Sequence, residues 1–149
     1  MTIDFLELLK HRLSLSNIEE HQLIFSKGFR SELESFFKKY RDKETFKKLL
    51  EKFSREIKVA FINGPDCVLF SKSLSVITNI SFLFEFHPKE KKVNYRLAFS
   101  FSNDLNRIVL LSVFVEKNKS DWTNTVKRIE RNKKIIEQEI NFKLYQRGE

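Results

Sequence analysis

The stretch Val93 to Lys119, VNYRLAFSFSNDLNRIVLLSVFVEKNK, decides the fold. Tyr95, Leu97, Phe99 and Phe101 alternate with Arg96, Ala98, Ser100 and Ser102, the period of two that a β-strand imposes. Ile108 to Val115 is almost wholly apolar, as a central strand covered over most of its length must be. A polar turn at Ser102-Asn103-Asp104 joins the two strands, and the second exits through Glu116, Lys117, Asn118 and Lys119. A polar sheet face bearing an arginine thus lies beside a strand whose exit carries two lysines, a place suited to a phosphodiester.

Upstream, Ile80, Phe82, Phe84 and Phe86 alternate with Ser81, Leu83, Glu85 and His87, giving a third, half-buried strand that stops at Pro88. Cys67 to Phe70 reads as a short strand after the turn Asn63-Gly64-Pro65-Asp66. Before that turn the period is helical. Phe29, Leu33, Phe36, Phe37 and Tyr40 form one apolar stripe, and Phe46, Leu49, Leu50, Phe53 and Ile57 form another that Asp42 can cap. The pair predicts an αα-hairpin. A shorter helix over residues 3–15 aligns Leu6, Leu9 and Leu13, and Ser16 with Glu19 fits a capping box. Gln22 to Ser26 is ambiguous between strand and helix start. Asp121 can cap a last helix, with Trp122, Val126, Ile129, Ile136 and Ile140 on one side and Lys127, Arg128, Arg131, Lys133 and Lys134 on the other. Helices, an antiparallel meander and a closing helix predict the α+β class.

Composition bounds the function. At 149 residues the chain is expected to be one domain, and its 41% hydrophobic content is enough for a core. That core must be built from phenylalanine, with 16 Phe against one Trp. The plain explanation expected for the Phe, Lys and Asn richness is an AT-rich genome. Twenty-eight Lys and Arg against 20 Asp and Glu give a net charge of +8, which suits an anionic partner, nucleic acid or acidic protein. Cys67 is the one cysteine, so no intrachain disulfide forms, and a reducing compartment, the cytoplasm, is expected. No signal-like or membrane-spanning run is present.

No Gly-rich phosphate loop, CxxC, HExxH or GxSxG occurs, and His11, His21 and His87 lack metal-ligand spacing. No metal and no cofactor are expected. Metal-free RNA cleavage needs a base for the 2′-hydroxyl, an acid for the leaving 5′-oxygen and cations for the phosphorane. If the strands pair as a meander, Glu85, His87, Arg96, Ser100 and Ser112 share a face. His87 suits proton transfer near neutral pH, Glu85 is a second base, and Arg96 can grip a phosphate bidentately. Lys72, Lys117 and Lys119 add charge. The plainer alternative is a Glu85–Arg96 cross-strand pair, with the lysines as ordinary turn residues.

From Gln22 to Gln138 the chain resembles the RelE/HigB-like toxins of bacterial toxin–antitoxin modules. The similar segments are LIFSKGFRSELESFF, FSKSLSVITNISFLFEF, and YRLAFSFSNDLNRIVLLSVFVEKNK followed by a basic helix. The resemblance implies a RelE-like domain over residues 22–149, with residues 1–21 as a helical extension. It also implies a metal-free endoribonuclease acting on mRNA, often on the ribosome, in a bacterial or mobile-element setting, and an antitoxin that covers the basic cleft. By position Arg96 matches the family's strand arginine, Lys72 its preceding lysine and Lys117 one lysine of its pair. Glu116 stands where the other lysine is expected, and Phe86 where the family often has arginine. Lys119, Lys127, Arg128 and Arg131 are the expected nucleic-acid contacts. The alternative is a non-catalytic protein-binding module, or a ParE-type gyrase inhibitor, on the same fold; a plain nucleic-acid-binding protein is a third reading.

Overall fold

The structure, a computed structural model, describes residues 5–38, 43–78, 82–87, 96–102, 106–114 and 119–139. For residues 5, 6, 36, 37, 43, 45, 46 and 119–121 it describes the backbone alone. The helices are α1 (Phe5–Leu15), α2 (Phe29–Phe37), α3 (Lys43–Asn63) and α4 (Lys119–Glu139). The strands are β1 (Leu23–Phe25), β2 (Leu74–Thr78), β3 (Leu83–Phe86), β4 (Arg96–Phe101) and β5 (Ile108–Phe114). The class is α+β, as the patterning predicts. Tyr40, Asp42, Ile80, Tyr95 and Ile140 fall outside the described residues.

The sheet is mixed rather than a plain antiparallel meander. Its order is β1-β5-β4-β3-β2, with β1 parallel to β5 and the other pairs antiparallel. The ambiguous Gln22–Ser26 segment resolves into β1, whose Leu23, Ile24 and Phe25 pair with Ile108, Val109 and Leu110. Its two neighbouring turns suit so short a strand. Glu19 and Gln22 form the capping box of a 3₁₀ turn over Glu20–Gln22. Ser16 instead lies in the C-terminal cap of α1. There Asn17, at φ 65°, donates to the Ser14 carbonyl and Ile18 to the Leu13 carbonyl, the two bonds of a Schellman motif.

Cys67 to Phe70 is not a strand. Gly64 at φ +61° ends α3, Pro65 follows, and Gly64–Leu69 winds as a 3₁₀ helix. The missing strand lies just beyond, at Leu74–Thr78, where it pairs with β3. β3 also starts later than the alternation suggests, because Phe82 takes a left-handed φ of 51°. Helix α4 opens at Lys119, so Asp121 lies inside it rather than at its cap.

Two apolar layers sandwich the sheet. On one face α1, α2 and α3 place Leu9, Leu13, Leu33, Leu49, Phe53 and Ile57 against Leu74, Phe84, Phe86, Leu97, Phe99 and Phe101. Phe84 is the hub of that core, with ring centroids 5.1 Å from Phe82, 5.7 Å from Phe99 and 5.3 Å from Phe101. On the other face α4 lays Trp122, Ile129 and Ile136 against Leu83, Ala98, Val109, Leu111 and Phe114. Every residue of β3 and of β5 is consequently buried. For β3 this corrects the half-buried expectation: both of its faces are buried, with Leu83 against the α4 cluster.

Candidate functional site

Antiparallel pairing gathers the start of β2, the end of β3, the start of β4 and the end of β5 at one end of the sheet. His87 donates its N–H to the Ser73 carbonyl (2.8 Å), and Arg96 stands opposite Phe114. Lys72, in the exposed turn before β2, therefore lies in the chain next to the His87 ladder partner. Glu85 sits opposite Ser75 on one side and Ala98 on the other.

Arg96 lies two residues before Ala98 and so reaches Glu85 diagonally across the strands. Its guanidinium donates to Glu85 Oε1 at 2.5 Å, and the Ser75 hydroxyl donates to the same oxygen at 3.1 Å. The Glu85 side chain is 8% exposed and that of Arg96 is 20% exposed. Glu85 Oε2 is buried and accepts no hydrogen bond within the described residues. His87 is half-buried.

The two serines expected to share this site do not open to it. Register does put Ser100 and Ser112 on the same face, but both are fully buried. The Ser100 hydroxyl donates to the Phe82 carbonyl at 3.1 Å. Ser112 belongs to a second polar cluster, built on a β-bulge. Ala98 pairs with Ser112 and Phe99 with Leu110, so Leu111 is the extra residue. The Leu111 carbonyl, released from the ladder, accepts from the Ser26 hydroxyl (2.6 Å) and the Asn132 amide (3.2 Å). Ser112 donates to Glu32 of α2 (2.9 Å) and accepts from Arg128 of α4 (3.1 Å). Glu32 also receives the Val113 N–H, at the edge of β5 that β1 no longer covers. Burial raises the Glu32 carboxyl above its ordinary value, although Ser112, Arg128 and the Val113 amide pull the other way.

Sequence patterning does not single out Ser26, Glu32 or Asn132, because a bulge leaves no mark in periodicity. It also misplaces Lys133. That lysine is 5% exposed on the sheet side of α4, where burial lowers its pKa against the opposing pull of Glu137 and Glu130. Lys127 and Arg131 do lie exposed on the outer side. Arg128 is half-exposed and tied to Ser112, with Glu32 at 3.7 Å. Lys117 lies outside the described residues, and of Lys119 only the backbone is described.

Chemically, the Glu85–Arg96 pair supplies a positioned cation and a carboxylate with one oxygen to spare. Cys67 adds no nucleophile: burial, then the nearby Glu56 and Asp66 charges, push its thiol up to about 12. Among the described residues no group of three or more His, Cys, Asp or Glu is placed to hold a metal ion. No helix among them is long and apolar enough to cross a membrane. No known protein family, curated protein or solved structure matches the chain.

Proposed function

We propose that the chain is a RelE/HigB-like toxin, a metal-free endoribonuclease that cleaves mRNA, in the ribosome-dependent manner the resemblance implies, and is neutralised by an antitoxin in the bacterial cytoplasm. The observation that carries the reading is the Glu85–Arg96 pair at the end of the sheet where His87 and Lys72 also lie. Two consecutive helices, α2 and α3, before the antiparallel strands and a basic closing helix support it further.

In this mechanism Arg96, held by Glu85, presents its guanidinium to the scissile phosphate. His87, half-buried where Glu85 is buried, accepts the 2′-hydroxyl proton, and the 2′-oxygen attacks phosphorus while Glu85 holds the Arg96 guanidinium in place. The 5′-oxygen then leaves with a proton from His87, giving a 2′,3′-cyclic phosphate. Lys72 and Lys117 spread positive charge over the phosphorane. Ser100 and Ser112 take no part, since both are fully buried.

Inducible expression in bacteria with mapping of mRNA 5′-ends tests this directly. Wild type should arrest growth and cut mRNA, while Arg96→Ala and Glu85→Gln should do neither. Intact mRNA under wild-type induction, or an Arg96→Ala variant as toxic as wild type, would sink it. The second reading, a non-catalytic protein-binding module or gyrase inhibitor, draws on the same pair, because a buried Glu85–Arg96 bridge accounts for both residues without any reaction. Growth arrest with intact mRNA and blocked gyrase supercoiling would establish it.

A further inference from the structure

The two edges of the sheet are treated unequally. On one side β1 covers β5 over Ile108–Leu110, and Glu32 takes the Val113 N–H beyond it. On the other side no strand among the described residues pairs with the outer edge of β2. Because His87 N–H bonds the Ser73 carbonyl, the alternating ladder turns Ser73 and Ser75 toward β3 and turns the N–H and C=O of Val76 outward. The strand itself, Leu74-Ser75-Val76-Ile77-Thr78, holds no charge and no proline to keep its edge from pairing, and the register shift between Val76 and Thr78 confines the regular edge to Leu74–Val76.

Apolar surface gathers around that edge. Val76 is 41% exposed, on the α3 side of the sheet with Leu74 and Phe84. The segment that leads from α3 into β2 exposes Ile62 at 66%, Leu69 at 78% and Phe70 at 65%. Exposed side chains of this size on one connection are more than scattered surface residues. The exposed charges over residues 58–78 are Lys58 and Lys72 against Asp66, so the balance there is basic. A second copy of a chain at +8 would bring like charge to like.

We propose that β2 is a docking edge for an extended segment of a partner protein in which apolar residues alternate with Asp or Glu. The segment adds to the sheet through the Val76 backbone, lays its apolar side chains on Val76, Leu69 and Phe70, and turns carboxylates to Lys58 and Lys72. The inference stands whether or not the Arg96 site cleaves RNA.

The test titrates the full chain with a short synthetic peptide alternating Val and Glu, and with its Val–Lys counterpart. The Val–Glu peptide should bind and slow amide exchange at Val76, and the Val–Lys peptide should bind about tenfold more weakly or worse. Val76→Pro, which removes only an outward N–H, should abolish binding with the circular dichroism unchanged. If that variant does not fold, Phe70→Ser with Lys72→Glu should weaken binding by a similar factor. No binding of the Val–Glu peptide, equal binding of both peptides, or binding indifferent to these substitutions overturns the proposal. So does protection of Val76 by concentration-dependent dimerisation without peptide, which would make a second copy the occupant.

Discussion

Arg96 and Glu85 are each other's main compensation for leaving water, and that makes them costly to separate. With the Glu85 side chain 8% and the Arg96 side chain 20% exposed, truncating either one strands a charge in a low-dielectric place. Breaking a buried pair costs about 3–5 kcal/mol, whereas replacing both members with apolar residues is often neutral. Arg96→Ala should therefore destabilise by about 3 kcal/mol, toward the low end because Arg96 keeps some solvent contact. The double variant Glu85→Leu with Arg96→Leu should recover most of the loss. A double-mutant cycle by urea denaturation measures both, and two single losses that simply add would show that the side chains are not coupled. The cycle also guards the activity test, since a dead Arg96→Ala variant must first be shown to be folded. A sequence can propose this pair from strand alternation, as Glu85 and Arg96 both sit on polar positions. It cannot give the register that sets them diagonally across adjacent strands, nor the packing that buries them.

At the scale of elements, the polar cluster around Ser112 ties α2 and α4 to β5. Its centre is the bulge at Leu111, whose freed carbonyl needs the donors that Ser26 and Asn132 supply. Glu32 closes the cluster at a cost, because burial raises its carboxyl pKa from the ordinary 4.5. A raised carboxylate pKa means the folded state holds the proton more tightly than the unfolded chain does. The penalty is full above the folded value, where Glu32 is ionised in both states. It fades as pH falls through the folded value toward 4.5, so this group makes the protein relatively more stable on acidification. Glu32→Gln keeps an oxygen for Ser112 and the Val113 amide but has no charge to bury. The variant should match or exceed wild-type stability at pH 7, with the difference shrinking toward pH 4.5. Thermal melts of both proteins across that range decide it, and a variant that is weaker at pH 7 by a pH-independent amount would contradict the assignment. The elements themselves were partly legible. Helices α2 and α3 and the strands at Arg96–Phe101 and Ile108–Phe114 follow from apolar spacing. β1 and β2 do not, because three and five residues carry too little periodicity, and pairing with β5 and β3 makes them strands. The burial of β3 on both faces was hidden as well, since Glu85 gives it an outward-facing pattern that packing overrides.

For the molecule as a whole, the charge of +8 is distributed with a direction that the sequence shows only in part. The basic run of α4 reads as a solvated stripe, yet Lys133 turns inward and Arg128 is spent on Ser112 and Glu32. Lys127 and Arg131 remain outward and exposed, as does Lys72 in its turn, so all three can meet a polyanion. If the partner is single-stranded RNA, each phosphate neutralised contributes about −0.7 to the slope of log K against log salt. Replacing both Lys127 and Arg131 with Gln should then flatten that slope by about 1.4, while leaving the fold intact because neither residue is buried. A short 2′-O-methyl RNA, which cannot be cleaved through its 2′-oxygen, separates binding from turnover, and fluorescence anisotropy from low to moderate salt gives the slope. Lys133→Gln serves as the internal contrast: its buried ammonium meets no phosphate, so it should leave the slope unchanged. An unchanged slope for the Lys127 and Arg131 variant would remove α4 from the RNA surface. A steep wild-type slope alongside it would shift the contact to the end of the sheet around Lys72 and Arg96, and a flat wild-type slope would remove RNA as the partner.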